Sequence, residues 1–477
     1  MSVTVVGSLE ILEQLEQKET LMVKQKLGLL ALLAAILLMA QTALASSDAG
    51  SHHGGEPQWW IIYMLTLWGL IICVFAQKRY LVLNEGKLQP AFTELQKFSM
   101  FLLAGAIFAQ LWAHGDPAGY TTTMHAVLFS LPDNVDVTLH FIVNDAFMCL
   151  FFGIAAKELT EAALLPNGEL RGLKGFIPIT ACLGGVVGPA LVYRKICTPE
   201  MSSAWAVPCA TDIAFAWLGA RTIWGPKHPA VTFLLALAVA DDFVGMGLIA
   251  AFYPQRQIQL TWLLLVLLGM LCAWILRKLQ VQDWPLYIIA GILCWIGLLY
   301  AGLHAALALV FVVPFMPMQK RDEGVFANGE SEHKHDALNQ FEHSTKPLVD
   351  TGLFFFGLCN AGVVWWGVSA WDANSTAVFL GLGIGKVIGI TLFTVIAYGI
   401  LMLFGKAELP TSSSGKMLWR DVPLAGLLGG MGFTVALFVA SAAGGHDSLK
   451  LGALASFVYL ILAVAIGKIF YRQQPIN

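Results

Sequence analysis

The chain has 477 residues, of which 57% are hydrophobic and 12% charged, and its formal net charge at pH 7 is −3. A soluble domain carries about 25% charged residues, so this composition excludes a large soluble protein and indicates a polytopic membrane protein. The eight cysteines form no Cys-x-x-Cys pair, and the basic residues form no long cluster. Neither a disulfide framework, a cofactor nor a nucleic-acid partner is therefore expected.

The first 45 residues are predicted to be an N-terminal extension followed by a signal peptide. From Met22 the chain has two lysines, an apolar stretch and an Ala-Leu-Ala sequence that ends at Ala45, which is typical of a signal peptide. Met22 is therefore an alternative start, and an uncleaved membrane helix is the alternative interpretation. Residues 46–97 are predicted to hold an extracytoplasmic segment, an extra transmembrane helix at 58–77 and a linker.

Twelve apolar segments follow between residues 98 and 472. Each is long enough and rich enough in Leu, Ala and Gly to be a helix, and the alternating ten-residue segments of a membrane β-barrel do not recur. We therefore predict an all-α polytopic membrane domain. The segments lie at 98–113, 141–158, 175–193, 205–222, 231–253, 261–276, 285–301, 303–317, 348–366, 377–404, 422–442 and 450–470.

Two connections between these segments have structure of their own. The sequence VLFSLPDNVDVTLH alternates apolar and polar residues around a Pro-Asp-Asn turn, which predicts a β-hairpin over 126–140. The long charged loop after residue 317 is predicted to be a solvated linker that becomes helical near Asp336. If residue 97 is cytoplasmic, alternating spans place most of the 28 Lys and Arg residues on the cytoplasmic side, which fixes the predicted orientation.

Three acids and one lysine lie inside the apolar segments. Asp241 and Asp242 are adjacent in the sequence LAVADDFVGMG, Asp212 lies in CATDIAFA, and Lys386 lies in GLGIGKVIG. Each charge at the centre of a membrane helix costs about 2.5–3.5 kcal/mol, so these groups must pair, take up a proton or bind a cation. Carboxylates that hold either protons or a hard cation provide the minimum chemistry of an exchanger. The alternative is a structural Asp–Lys pair with one helix-capping Asp.

Two of the predicted helices have sequences that interrupt a regular helix. Pro208 lies one turn before Asp212, and Gly426, Gly429, Gly430 and Gly432 crowd the middle of the segment at 422–442. Irregular backbone at membrane depth is tolerated where it lines a cavity or is buried in protein. Each interrupted helix is second in a group of three, which indicates inverted repeats with the site between them. If the breaks cross, Asp212 would offset two positive helix ends and Lys386 two negative ones.

The order of these motifs resembles that of the NhaA-type Na+/H+ antiporter family. The matching sequences are VNDAFMCLFF, GGVVGPALVY, PCATDIAFA, LAVADDFVGMGLIAAFY, GLHAALALV, NAGV, GLGIGKVIG and GGMGFTVALF, and the similarity runs from about residue 98 to 472. The resemblance implies a twelve-helix inverted-repeat antiporter domain with two interrupted crossing helices, in a bacterial inner membrane. It also implies electrogenic, pH-regulated export of Na+ or Li+ in exchange for H+, without a cofactor, by a homodimer formed through the hairpin at 126–140.

The resemblance also assigns roles to individual residues. Asp241 and Asp242 match the ion-binding acids, and Asp242 is the expected essential carrier. Thr211 and Asp212 match the residues at the helix crossing, and Lys386 matches the lysine that pairs with the first acid.

A second set of matching residues lies near the predicted cytoplasmic side. Glu158 matches a glutamate in the funnel through which ions enter, and Glu342 and His343 fall where the family has groups tied to pH activation. The chain departs from the family at several positions, among them groups of the entry funnel and of the pH cluster, whereas the motifs of the transport core match. The second funnel glutamate falls on Ala162 with Glu161 beside it, Lys346 replaces a histidine of the pH cluster, and Arg221 stands where an apolar residue is usual.

Other classes of membrane protein remain as alternatives. The main one is a sodium-coupled solute transporter of a related inverted-repeat fold, against which the adjacent acids argue when the solute is an anion. A passive channel would carry ions without an opposing gradient. An intramembrane protease would need a GxGD or HExxH sequence, and the chain contains neither, so we expect a transporter and not an enzyme.

Overall fold

A computed structural model describes residues 100–133, 135–165, 168–318, 336–364, 371–405, 411–412 and 415–471. The predicted signal peptide, the segment before residue 58, the extra helix at 58–77 and most of the long charged loop lie outside these residues. Within them the protein is mainly helical, and its strands form two small antiparallel hairpins.

Seven helices of the described residues are long and apolar enough to cross a membrane, or eight if one bent pair forms a single span. The protein is therefore an all-α polytopic membrane protein. The helices are α1 (Met100–Gly115), α2 (Pro117–His125), α3 (Leu139–Leu164), α4 (Leu173–Ile196), α5 (Ile213–Trp224), α6 (Pro229–Phe252), α7 (Leu260–Lys278), α8 (Trp284–Ala301), α9 (Ala337–Asn360), α10 (Ala373–Leu403), α11 (Asp421–Gly429), α12 (Phe433–Ala442) and α13 (Asp447–Tyr471). The seven candidate spans are α3, α4, α6, α7, α8, α10 and α13, and the bent pair is α11 with α12.

The connection between α2 and α3 is the β-hairpin that the sequence predicts. Strands β1 (Val127–Leu131) and β2 (Val135–Thr138) pair antiparallel. Ser130 Oγ donates a hydrogen bond of 2.6 Å to Asp136 Oδ1 across the pair. The hairpin prediction is confirmed, whereas its part in a dimer remains a prediction.

The apolar segment at 303–317 is not the α-helix that the sequence predicts. Two 3₁₀ turns occupy it, Ala305–Phe311 and Val313–Phe315. They follow Gly302, which ends α8 in the left-handed conformation with φ 82°. The segment packs against both α3 and α8 and is buried along most of its length. Because nearly every residue of this segment is apolar, its hydropathy has no periodicity that would distinguish an α-helix from a 3₁₀ helix.

The predicted helix at 348–366 begins earlier and ends earlier than the sequence indicates. Helix α9 starts after Asp336, whose Oδ1 accepts a hydrogen bond of 2.8 Å from the backbone N–H of Asn339, and it ends at Asn360. Its first half is too polar to be detected by hydropathy. The prediction that the charged loop becomes helical near Asp336 is confirmed by this start.

Both segments predicted to be interrupted are broken in the structure. In the first, a 3₁₀ turn at Val207–Cys209 leads into extended backbone, and α5 starts only after Asp212. In the second, α11 and α12 are separated by the residues 430–432 and bent by 47° relative to each other. Proline in one break and glycine in the other account for the loss of the regular hydrogen-bond ladder.

Helices α4 and α10 cross in backbone contact because each has two glycines at the crossing. A Cβ atom added to Gly389 would overlap the carbonyl oxygen of Gly184, and one added to Gly188 would overlap the carbonyl oxygen of Gly385. Small residues spaced four apart are the usual device for close helix packing in membranes. The contact fixes the position of Lys386, which lies on α10 between the two glycines.

This crossing predicts that Gly389→Ala destabilises the protein, by about 1–3 kcal/mol, because the neighbouring atom is backbone and cannot rotate away. Gly399→Ala, on the same helix, is the control, since a Cβ atom there meets no atom within 4 Å. The measurement is the unfolding temperature of each purified variant. Equal unfolding temperatures for the two variants would contradict the close crossing.

Candidate ion-binding site

Asp241 forms a buried ion pair with Lys386. The Lys386 Nζ lies 2.5 Å from Asp241 Oδ2, and the Asp241 and Lys386 side chains are 1% and 0% exposed. Thr211 Oγ1 lies 2.6 Å from the same carboxylate oxygen and 2.9 Å from the carbonyl oxygen of Gly429, and it accepts a hydrogen bond from Lys386. The hydroxyl has one proton, so it donates to only one of these oxygens at a time.

The second oxygen of Asp241 faces helix α4. Cys182 Sγ lies 3.8 Å from Asp241 Oδ1, and a Cβ atom added to Gly185 would lie 3.8 Å from it. A thiol is a weak hydrogen-bond donor, so this oxygen is held less firmly than its partner. Sequence reasoning missed Cys182, because a cysteine in an apolar segment is ordinarily a packing residue.

Asp242 has the opposite environment. Its side chain is 8% exposed, and its Oδ1 has no hydrogen-bond partner among the described residues. Successive residues of a helix differ in direction by about 100°, which is why Lys386 reaches Asp241 and leaves its neighbour unpaired. A buried carboxylate without a partner is unfavourable unless it takes up a proton or binds a cation.

Asp212 joins the two breaks. Its backbone N–H donates a hydrogen bond of 2.7 Å to the carbonyl oxygen of Met431, so the two breaks are in backbone contact. Its Oδ1 accepts from the backbone N–H of Phe215 at 3.4 Å, and its Oδ2 accepts from the backbone N–H of Thr434 at 3.0 Å and from the Thr434 hydroxyl. One carboxyl group therefore lies at the N-terminal ends of both α5 and α12, where negative charge is favoured.

A second buried cluster links α3 to α9 near their predicted cytoplasmic ends. Lys157 Nζ lies 2.6 Å from Glu342 Oε2, 2.9 Å from Glu161 Oε2 and 3.9 Å from Glu158 Oε1. Glu158 is half-buried, and His343 is exposed. Sequence reasoning missed Lys157, although it shares a helix face with Glu161 at the i, i+4 spacing of an ion pair.

Apolar contacts connect the Lys157 cluster to the surroundings of Asp241. Ala162, which follows Glu161, belongs to one hydrophobic cluster with Cys182 of α4 and Ala240 of α6. This cluster adjoins the Lys157 ion pairs at one end and Asp241 at the other. Arg221 does not take part in either group: its guanidinium lies over the Trp217 ring at 5.3 Å, on the last turns of α5.

Comparison with known proteins supports the resemblance found in the sequence. The sequence profile of the family described as Na+/H+ antiporter 1 matches residues 91–470. A protein of Geobacter sulfurreducens named Na+/H+ antiporter NhaA is 43% identical over 386 residues, which are 78% of this chain and 96% of the relative. Proteins with the same name from Desulfitobacterium hafniense and a Jannaschia species are 43% and 39% identical, over 79% of this chain and 95% and 97% of the relatives. The chain therefore belongs to the Na+/H+ antiporter 1 family.

Proposed function

We propose that the chain is a secondary antiporter that exports Na+, and Li+ by the same route, in exchange for H+. The observation that carries this proposal is the pair of adjacent acids, of which Asp241 is neutralised by Lys386 and Asp242 has an unpartnered buried oxygen. The relatives are named for the same exchange. Intramembrane acids that lack a fixed partner mark ion pathways, so Asp242 is the group on which Na+ and H+ compete.

The geometry also suggests how the exchange proceeds. Na+ is a hard cation that prefers oxygen ligands, and Asp241, Asp242 and Thr211 supply them around one point of the fold. To contact the cation, Asp241 gives up its contact with Lys386, whose charge compensates it again once the cation leaves. Binding of Na+ releases the proton of Asp242, and the Lys386 ammonium, left buried without its carboxylate partner, releases a second proton that it takes up again when Na+ leaves. Each cycle therefore returns more protons than sodium ions and is electrogenic.

The backbone contact between the two breaks supports the twelve-helix inverted-repeat architecture as part of this proposal. Asp212 neutralises two helix ends that face each other, and this leaves irregular backbone beside the aspartates. In transporters with such repeats the site lies where the broken helices meet. Rocking of one group of helices against the other would expose Asp241 and Asp242 to each side of a bacterial inner membrane in turn.

Regulation by pH is proposed for the second cluster. Glu342 and Glu158 lie around the Lys157 ammonium, and His343 follows Glu342 on the exposed face of α9. Protonation of these groups would change the contact between α3 and α9, which is close to the apolar layer beside Asp241. A homodimer through the hairpin at 126–140 completes the proposal.

The exchange is tested in inverted membrane vesicles that hold a preformed pH gradient. Addition of Na+ or Li+ is expected to collapse the gradient, and Asp242→Asn is expected to abolish the response because an amide takes up no proton. Asp336→Asn is the control, since Asp336 is a buried helix-capping acid that Asn can replace. Normal exchange by Asp242→Asn, at matched amounts of protein, would overturn the carrier role.

The Lys157 cluster gives a prediction about stability. Lys157→Met leaves Glu161 and Glu342 buried without a cation, and removal of one partner of a buried pair costs about 3–5 kcal/mol. A marked fall in unfolding temperature is therefore expected for the purified variant. Adding Glu161→Gln and Glu342→Gln should restore most of the loss, because the two most deeply buried acids are then neutral and the charged Glu158 is partly exposed to solvent. A single Lys157→Met variant as stable as the wild type would show that the ammonium is not the centre of this cluster.

A further inference from the structure

Helix α10 changes its winding directly before Lys386. Residues Gly381–Gly385 form a π-helical turn, and the backbone N–H of Lys386 bonds to the carbonyl oxygen of Gly381, five residues earlier. A π-turn holds one residue more than an α-turn, so side chains beyond it are rotated by about 100° from their direction in a regular α-helix. The turn therefore decides whether Lys386 points at Asp241.

Neighbouring residues pack closely against the π-turn at three of its glycines. A Cβ atom added to Gly381 would lie 2.8 Å from Pro208 Cβ, and one added to Gly385 would lie 2.7 Å from Pro189 Cα. Between them, a Cβ atom at Gly383 would overlap the phenol ring of Tyr459. The two prolines lie on α4 and on the break before α5, which are elements of the site, whereas Tyr459 comes from α13.

The Tyr459 side chain makes a specific contact at the start of this turn. Its hydroxyl donates a hydrogen bond of 2.8 Å to the carbonyl oxygen of Phe379, and its ring stacks on the Phe379 ring with 4.7 Å between centroids. Phe379 lies where the α-helical ladder of hydrogen bonds gives way to the π pattern. A carbonyl at such a point needs a donor, and Tyr459, which is buried, supplies one from another helix.

We propose that Tyr459 is a positioning residue for Lys386: its phenol stabilises the π-turn that directs the ammonium at Asp241. The inference rests on the charge-compensating role proposed above for Lys386. Without the hydroxyl, the segment from Phe379 to Lys386 would favour the regular α-helical ladder. The ammonium would then turn away from Asp241, and the buried pair would be strained.

A double-mutant cycle separates this role from simple packing. Tyr459→Phe keeps the stacked ring and removes only the hydroxyl. It is made in the wild type and in a background that carries Lys386→Met and Asp241→Asn, in which the ion pair is replaced by neutral side chains. The readout is the unfolding temperature of each purified protein, which does not depend on transport.

The matched control is Tyr193→Phe. Tyr193 is another buried tyrosine, and its hydroxyl donates a hydrogen bond of 2.8 Å to the carbonyl oxygen of Met201, outside the π-turn. Tyr193→Phe measures how much the loss of one such hydrogen bond lowers the unfolding temperature when the bond has no part in positioning Lys386.

We expect Tyr459→Phe to lower the unfolding temperature of the wild type by about 2 °C or more and that of the neutral background by less than half as much. Tyr193→Phe should lower both by equal amounts. Equal effects of Tyr459→Phe in the two backgrounds would overturn the inference and assign the residue to packing.

The vesicle assay then distinguishes this inference from the proposed function. Tyr459→Phe should slow exchange by about three- to tenfold, the effect of one lost hydrogen bond, while Tyr193→Phe exchanges normally. Normal exchange by Tyr459→Phe would overturn the inference but leave the antiporter intact. If the wild type shows no exchange, the proposed function fails, and the unfolding temperatures still decide whether the tyrosine and the ion pair are coupled.

Discussion

The free-energy cost of burying charge in an apolar interior is the constraint on which this structure depends. Three carboxyl groups and one ammonium group lie close together near the contact between the two breaks, and the three carboxyl groups have different surroundings. Asp212 is hydrogen-bonded by the ends of two helices, Asp241 is neutralised by Lys386, and Asp242 has a buried oxygen without a hydrogen-bond partner among the described residues. Because protein groups already satisfy the first two carboxyl groups, the third is the one to which the proposed exchange assigns the competition between H+ and Na+.

Much of the site was predictable from the sequence, because charged residues in apolar segments are conspicuous. Asp212, Asp241, Asp242 and Lys386 stand out in this way, and Pro208 marks the first break. The hairpin was also predictable, since its alternation is interrupted by a clear turn. These features share one property: the signal lies within a few neighbouring residues.

The remaining features depend on which residues the fold brings together. Cys182 and Thr434 contact site groups that lie far away in the sequence, and nothing in their own segments marks them. Lys157 has a local partner in Glu161, but its contact with Glu342 depends on the fold. The sequence predicts a helical start near Asp336 but not that this polar part and the apolar segment from residue 348 form one continuous helix, because a helix with a polar first half does not show in hydropathy. For the segment after Gly302 the sequence predicts an α-helix instead of the 3₁₀ helices that form, because uniformly apolar residues show no periodicity in hydropathy.

The glycine contact between α4 and α10 has a consequence for the motion that transport requires. Backbones that touch at two successive turns cannot slide past each other without collision, so these helices move as a single body. That body holds the thiol of Cys182 on one side and the ammonium of Lys386 on the other. In the proposed exchange, Asp241 and Asp242 of α6 would then move together relative to this body, and the distance that changes would be the one between Asp241 and Lys386.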